Sequence, residues 1–394
     1  MKTFNTKILY IYKFIGQCLP VYAFYAILFM DRGKSVSDVA VLIALWSGFT
    51  IVFEIPAGVL ADKWNRRNML AIAAVLQGLC FIIWFFSYTF FMFALGFAIW
   101  AIAGAFTSGT EESLIYDNLK TDGREEDFTK VYGKAQFFAS IGTIAGVLSA
   151  GFIAFFISIE TTVLISAAIS IANMVFALQI RENNLYHQDT KGDTAGAFAT
   201  FKKAGTFIKG STIALAAILS LVLFVSLGNY LDEFDPLIIN DFGLNYLWVT
   251  AIFVIRFAFI ALGDILAPVF QKKFSTVKGI LLLGGLGCAL LAAFALIWHP
   301  FALVVFGIAV MTMAIAEILL MNALQEEIKE EGRATVTSFI SVGQNLVMIC
   351  FSLVFAVLAG LFALQQVYII IAMYGVLSGV GFYLLVSKNK KRIP

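Results

Sequence analysis

The sequence predicts an all-α integral membrane protein with twelve transmembrane helices, organised as two diverged six-helix halves. Three observations carry this expectation. The 394 residues are 61% hydrophobic and only 13% charged, where a soluble domain carries about 25% charged residues. Apolar runs of about 20 residues, the length that crosses a bilayer, recur along the chain with short polar breaks between them. Rare charges inside those runs also repeat at a constant spacing between the two halves. Lipid offers backbone N–H and C=O groups no partner, so the runs are read as helices, and the alternation expected of barrel strands is absent.

In chain order the expected spans are 8–30, 36–60, 68–88, 91–117, 131–157 and 160–180, then 211–238, 245–270, 278–298, 301–324, 335–360 and 365–387. Orientation follows from where the bases fall. With the N-terminus inside, 23 of the 27 Lys and Arg residues lie in the tails and loops of one side, and only Arg32 and Lys34 lie on the other. Positive charge is retained in the cytoplasm during insertion, so both termini are expected there. Lys13 and Arg256 remain within spans. The longest break divides the chain into an N-terminal half (1–181), a cytoplasmic linker (182–210) and a C-terminal half (211–394). Its stretch Thr200 to Lys209 reads either as a basic amphipathic helix on the inner leaflet or as a flexible tether.

Cys18, Cys80, Cys288 and Cys350 all lie in apolar runs without metal-ligand spacing and are expected to fill the core. The net charge of +2 gives no sign of a nucleic-acid partner. Met1 to Lys7 lacks a signal-peptide cleavage pattern and reads as a short cytoplasmic tail.

Sliding the chain against itself by 210 residues pairs Asp31 with Asp241, Gly33 with Gly243, Glu54 with Asp264 and Lys63 with Lys273. A slide of 205 pairs Glu112 with Glu317, Leu119 with Leu324 and Asp117 with Asn322. Internal duplication of six-helix halves is typical of secondary transporters whose site lies near the bilayer midplane.

Between the second and third spans the chain reads Gly58-Val59-Leu60-Ala61-Asp62-Lys63-Trp64-Asn65-Arg66-Arg67. This resembles the signature loop of the major facilitator superfamily, Gly-x-x-x-Asp-Arg/Lys-x-Gly-Arg-Arg/Lys. Asn65 stands where the family has glycine, and asparagine tolerates the left-handed backbone that a tight turn there would use. A second copy, Ala267 to Lys273, keeps its bases and loses Gly and Asp. The stretch Ser108 to Leu119, followed by Tyr132-Gly133, also looks like the passage from helix 4 to helix 5 in bacterial members. The resemblance implies a two-bundle, alternating-access transporter, in a family that carries sugars, drugs, peptides, organic anions and metabolites. It further implies that Asp62, Arg66 and Arg67 form a gate latch, and that acids placed like Glu54 and Asp264 lock the cytoplasmic gate.

A charge at membrane depth costs on the order of 2.5–3.5 kcal/mol, so such residues face a cavity or each other. Arg256, the deepest, is read as a substrate-anion or coupling residue, or as a fixed ion-pair partner. Asp264 lies about two turns further on, within about 80° of the same face. Glu111 and Glu112 point about 100° apart, and the match with Glu317 favours Glu112 as the inward one. Glu112 or Glu317 is expected to carry a proton, or else to pair at the inner gate. Asp232, Glu233 and Asp235, which follow the candidate residues Asn229 and Tyr230, read as an outer cation-attracting vestibule or a solvated helix end. Lys13, Gln17, Tyr22 and Tyr25 are placed on a cavity wall, with snorkelling of Lys13 to the interface as the rival. Gln136, Gln344 and Asn345 are further polar candidates that equally suit helix-to-helix bonding.

The expected function is proton-coupled efflux of a drug-like or metabolic small molecule by a monomer in the bacterial inner membrane. Import of an organic anion or nutrient is the alternative, motivated by Arg256 and Lys13. His187 and His299 do not pair, and neither zinc spacing nor a nucleophile motif is visible, which argues against an enzyme. No phosphate-binding glycine loop points to ATP, and no cofactor is expected. A receptor built on a transporter fold would show saturable binding without flux.

Overall fold

A computed structural model of the chain describes residues 4–61, 64–108, 110–182, 218–225, 227–273, 277–327 and 333–388. The chain divides into two compact units, one of residues 1–193 with 245–250, the other of residues 194–244 with 251–394. Both are helical. Among the described residues eleven segments are long and apolar enough to cross a membrane. The seventh expected span, 211–238, falls partly outside the described residues, as do Asp62, His187 and the Thr200 to Lys209 stretch.

The first unit opens with α1 (Thr6–Gln17), a 3-10 turn (Pro20–Ala23) and α2 (Tyr25–Asp31). One unbroken helix over 8–30 was expected. Pro20 has no N–H to donate and disfavours a helical residue before it, so the chain breaks at Cys18 and Leu19 and restarts. α3 (Val36–Ala61) and α4 (Arg66–Phe86) follow. The expected fourth span then proves to be two helices, α5 (Phe90–Thr107) and α6 (Thr110–Thr121). Ser108 between them is extended, with φ −60° and ψ 130°. α7 (Phe128–Phe156) and α8 (Ile159–Gln179) complete the unit.

α7 lies directly against the break after α1. A Cβ added at Gly142 would meet the Phe14 carbonyl, and one at Gly146 would sit 2.6 Å from the Leu19 backbone nitrogen. Glycine is the residue that permits this approach. Further along, Tyr25, Phe29, Phe97 and Trp100 surround Trp84 with ring centroids 4.8–5.7 Å away. The Trp84 indole donates to the Phe93 carbonyl at 3.2 Å, so its polar edge is satisfied inside the cluster.

In the second unit a π-helical turn (Leu221–Val225) leads to α9 (Leu227–Leu231), a 3-10 turn (Asp232–Phe234) and α10 (Asp235–Asp241). α11 (Tyr246–Lys273), α12 (Val277–Ile297), α13 (Leu303–Glu327), α14 (Arg333–Leu361) and α15 (Leu364–Lys388) follow. Phe234 stacks on Phe355 with centroids 3.8 Å apart.

The duplication is visible in the backbone. α2 and α10 both end in a glycine with positive φ, +79° at Gly33 and +65° at Gly243. The N–H after each glycine returns to a carbonyl five residues earlier, Lys34 to Phe29 at 3.0 Å and Leu244 to Ile239 at 3.2 Å. This is a Schellman ending, and glycine supplies its left-handed residue. α3 and α11 each contain a proline, Pro56 and Pro268. α4 and α12 each have 21 residues, and α7 and α14 each have 29.

Large apolar side chains such as Phe156, Leu286 and Leu377 lie exposed on outer faces. In water they would be aggregation surfaces; against acyl chains they match the solvent.

Candidate functional site

In the first unit, Lys13 on α1 reaches Glu111 on α6. Its Nζ lies 2.8 Å from Oε1 and 3.0 Å from Oε2. Both side chains are largely enclosed, 11% and 8% exposed. They border a cavity of about 160 Å³ whose walls also include Gln17, Tyr22, Gln77, Trp100, Thr107 and Asn173. The break between α5 and α6 lets α6 begin at Thr110, which sets Glu111 in its first turn. The Asn173 side-chain carbonyl oxygen is buried with no hydrogen-bond partner. The cavity therefore offers a paired cation and anion, amide groups and two aromatic walls to a small polar ligand.

Several expectations need correcting here. Lys13 does not snorkel; the carboxylate beside it holds it inside. The acid enclosed in this unit is Glu111, not Glu112. Glu112 lies exposed on another face, where Tyr132 donates to it at 2.7 Å and Gln136 donates to the Tyr132 hydroxyl oxygen at 2.8 Å. Tyr25 is 3% exposed in the aromatic cluster around Trp84 and takes no part in the cavity wall.

In the second unit, Arg256 on α11 is 2% exposed and Asp235 on α10 is 0% exposed. Arg256 Nε donates to Asp235 Oδ2 at 2.5 Å, and Nη1 donates to the Gly228 carbonyl at 3.0 Å. The guanidinium lies 5.4 Å from the Phe306 ring centroid. Arg256 is thus an internal ion-pair partner, and the acids after Asn229 are not a solvated helix end. Asp232 and Glu233 are half-buried, while Asp235 is fully enclosed. Asp235 Oδ1, Arg256 Nη2 and the Tyr368 hydroxyl are buried without hydrogen-bond partners.

Asp264, exposed on α11, does not join this pair. It borders a second cavity of about 130 Å³ with Gly228, Asn229, Met313 and Glu317. The Asn229 amide donates to Glu317 at 2.9 Å and 3.2 Å. Tyr230 is 6% exposed, and its hydroxyl donates to the Val222 carbonyl at 2.8 Å. That carbonyl lies in the π-helical turn, so Tyr230 is a structural residue rather than a cavity one. Gln344 and Asn345 are half-buried on α14, and Glu54 is exposed on α3.

At the end of the first unit where its bases gather, Arg66 forms an ion pair with Asp117 on α6. The backbone N–H groups of Arg66 and Arg67 donate to Glu182 at 2.6 Å and 3.1 Å. Asn65 is extended, with φ −61° and ψ 116°, and makes no side-chain cap. The left-handed turn expected there is absent because Asn65 is the N-cap of α4, a position with extended backbone; Glu182 satisfies the free amides and the helix dipole from outside. Cys80 and Cys288 are buried as expected, Cys18 is half-buried, and Cys350 is exposed.

Sequence reasoning named Asp235 without pairing it with Arg256, and it passed over Glu182, Gln77 and Asn173. Of these, Gln77 and Asn173 carried a signal, as amides within apolar spans. The 210-residue slide adds a contrast once the contacts are known. It places Tyr25 opposite Asp235 and Trp46 opposite Arg256. Tyr25 and Trp46 both face Trp100, at 6.5 Å and 6.1 Å between ring centroids.

The sequence profile described as Major Facilitator Superfamily matches residues 14–351. The chain belongs to this superfamily. As a member it has the multi-pass, all-helical membrane fold expected above. Over 69 residues, 18% of the chain, it is 38% identical to the uncharacterized MFS-type transporter YfkF of Bacillus subtilis (strain 168), and that match spans 16% of the relative's length. In fold the chain is similar to the nucleoside transporter NupG, with a TM-score of 0.75 at 18% identity over 97% of this chain and 98% of that one. A bacterial homolog of the human lysosomal transporter Spinster, inward-facing and unoccupied, gives 0.73 at 16% identity over 97% and 96%. A D-xylose–proton symporter gives 0.69 at 16% identity over 96% of each chain.

Proposed function

We propose that this transporter moves its cargo by alternating access coupled to protons, and that it exports a drug-like or metabolic compound. The observation that carries this reading is the Lys13–Glu111 pair at the edge of the first unit's cavity. A carboxylate at membrane depth facing one ammonium has two states of very different cost. Ionised, it is balanced by Lys13; protonated, it releases Lys13 to another partner. That exchange is what links proton uptake to a change in the cavity. Glu317, which accepts from the neutral Asn229 amide beside the second unit's cavity, is the second candidate acid.

Export is supported by aromatic, apolar spans and by more acids than bases within them. Import of an organic anion was motivated by Arg256 and Lys13, and each of these bases is paired with a carboxylate, Asp235 and Glu111 respectively. Fold similarity to a D-xylose–proton symporter and to a nucleoside transporter is compatible with proton coupling in either direction. The proposed setting is the bacterial inner membrane, as a monomer with both termini cytoplasmic.

The test is proton movement in proteoliposomes containing a pH-sensitive dye, across cationic drugs, organic anions, sugars, nucleosides and amino acids. One cargo class should trigger proton release, and Glu111→Gln should abolish the signal. Coupling that survives Glu111→Gln would refute the assignment.

A further inference from the structure

At the end of the first unit where its bases gather, an open groove of about 880 Å³ runs along the seam where α1 packs on α7. It shares no residue with the Lys13–Glu111 cavity. Its chemistry changes along its length. On α1, Lys7 stands at the mouth, Ile11 one turn deeper, and Phe14 and Ile15 two turns deeper. On α7, Lys130 and Lys134 are followed in the same direction by Phe138 and Ile141. At 1.5 Å per residue the apolar floor runs roughly 10–12 Å beyond the lysines. A ligand that fits must be charged at one end and oily along the rest.

The sign of that charge follows from the groove's own pairs. Arg124 is compensated by Asp127 at 2.7 Å. Lys7, Lys130 and Lys134 have no carboxylate partner among the described residues. The Lys134 ammonium lies 5.3 Å from the Tyr10 ring centroid, and Tyr10 stacks on Phe138 at 5.2 Å. This aromatic wall fixes one cation where the charged part of the groove meets the apolar part.

We infer that the groove between α1 and α7 binds an anionic membrane phospholipid, with Lys7, Lys130 and Lys134 around its phosphate and one acyl chain along Ile11, Phe14, Phe138 and Ile141. The volume lies within the range of about 300–1,000 Å³ that encloses a compact ligand, enough for a headgroup and part of a chain. A water-soluble anion would leave the apolar floor unused. A zwitterionic lipid would bring its own cation to three lysines. Basic side chains at a membrane surface each add roughly fivefold to the affinity for anionic lipid.

The test uses the purified full-length protein in detergent. Native mass spectrometry titrates dioleoyl phosphatidylglycerol against dioleoyl phosphatidylcholine, with inorganic phosphate as competitor. Phosphatidylglycerol should bind at least tenfold more tightly, phosphate should not displace it, and combining Lys7→Gln, Lys130→Gln and Lys134→Gln should bring it to the phosphatidylcholine level. A phosphatidylglycerol carrying a photoreactive acyl chain should label the wild-type protein within residues 11–15 and 138–141. Equal binding of the two lipids, displacement by phosphate, labelling elsewhere, or full retention by the triple variant would each overturn the assignment. If the triple variant does not fold, the wild-type labelling map and the three single variants, each about fivefold weaker, decide it.

Discussion

Replacing Arg256 by methionine would leave the Asp235 carboxylate, 0% exposed, without its ion-pair partner. At the observed 2.5 Å between Nε and Oδ2, the attraction is about 6–7 kcal/mol for an effective dielectric of about 20. Desolvation of the two groups takes back most of that, so the intact pair contributes little net. The single variant loses the attraction and keeps one desolvated charge, a cost of about 3–5 kcal/mol. The Gly228 carbonyl loses its donor as well, which adds about 1 kcal/mol. Combining Arg256→Met with Asp235→Leu removes both charges and should recover at least about 2 kcal/mol of the single-variant loss. The assay is SDS titration in mixed micelles, followed by tryptophan fluorescence, on wild type, both singles and the double. Additive effects in the double, or a single variant as stable as wild type, would refute the reading of a compensated pair.

Two further outcomes follow from packing. Gly146→Ala places a Cβ 2.6 Å from the Leu19 nitrogen, and because the obstacle is backbone, α7 must move away from the break after α1; a loss of about 1–3 kcal/mol is expected in the same titration. Tyr230→Phe leaves the Val222 carbonyl of the π-helical turn without its side-chain donor and should cost about 1–3 kcal/mol, with cargo binding in detergent unchanged.

Where the sequence reading succeeded, the relevant signal was local or periodic. Apolar run length found the spans because lipid penalises any exposed backbone group. The 210-residue slide found Gly33 and Gly243 because left-handed backbone is a demand that glycine meets most cheaply. The failures share another cause. Hydropathy averages over a window, so it passed through Pro20, where the side chains stay apolar, and through Ser108, where the long apolar run before it outweighs the polar residues that follow. The break at Ser108 also explains the choice of Glu112 over Glu111. α13, the counterpart of α5 and α6, is continuous over Leu303–Glu327, so a register carried over from Glu317 slips where the first half is interrupted. Face arithmetic on α11 offered Asp264 to Arg256 because it sees only residues of the same helix. The true partner lies 21 residues earlier on α10, and the register between two helices is set by tertiary packing.

The contrast between Tyr25 with Trp46 and Asp235 with Arg256 makes the molecule its own comparison. Equivalent backbone sites were filled once with aromatic rings and once with opposite charges, so neither filling is imposed by the helix geometry. The aromatic version is a dry joint that holds its shape with no dependence on protons or salt. The charged version holds only while its two enclosed groups balance each other, and losing either leaves the other unpaired. Transplanting the aromatic pair into the second half would ask whether transport needs the asymmetry between the two copies.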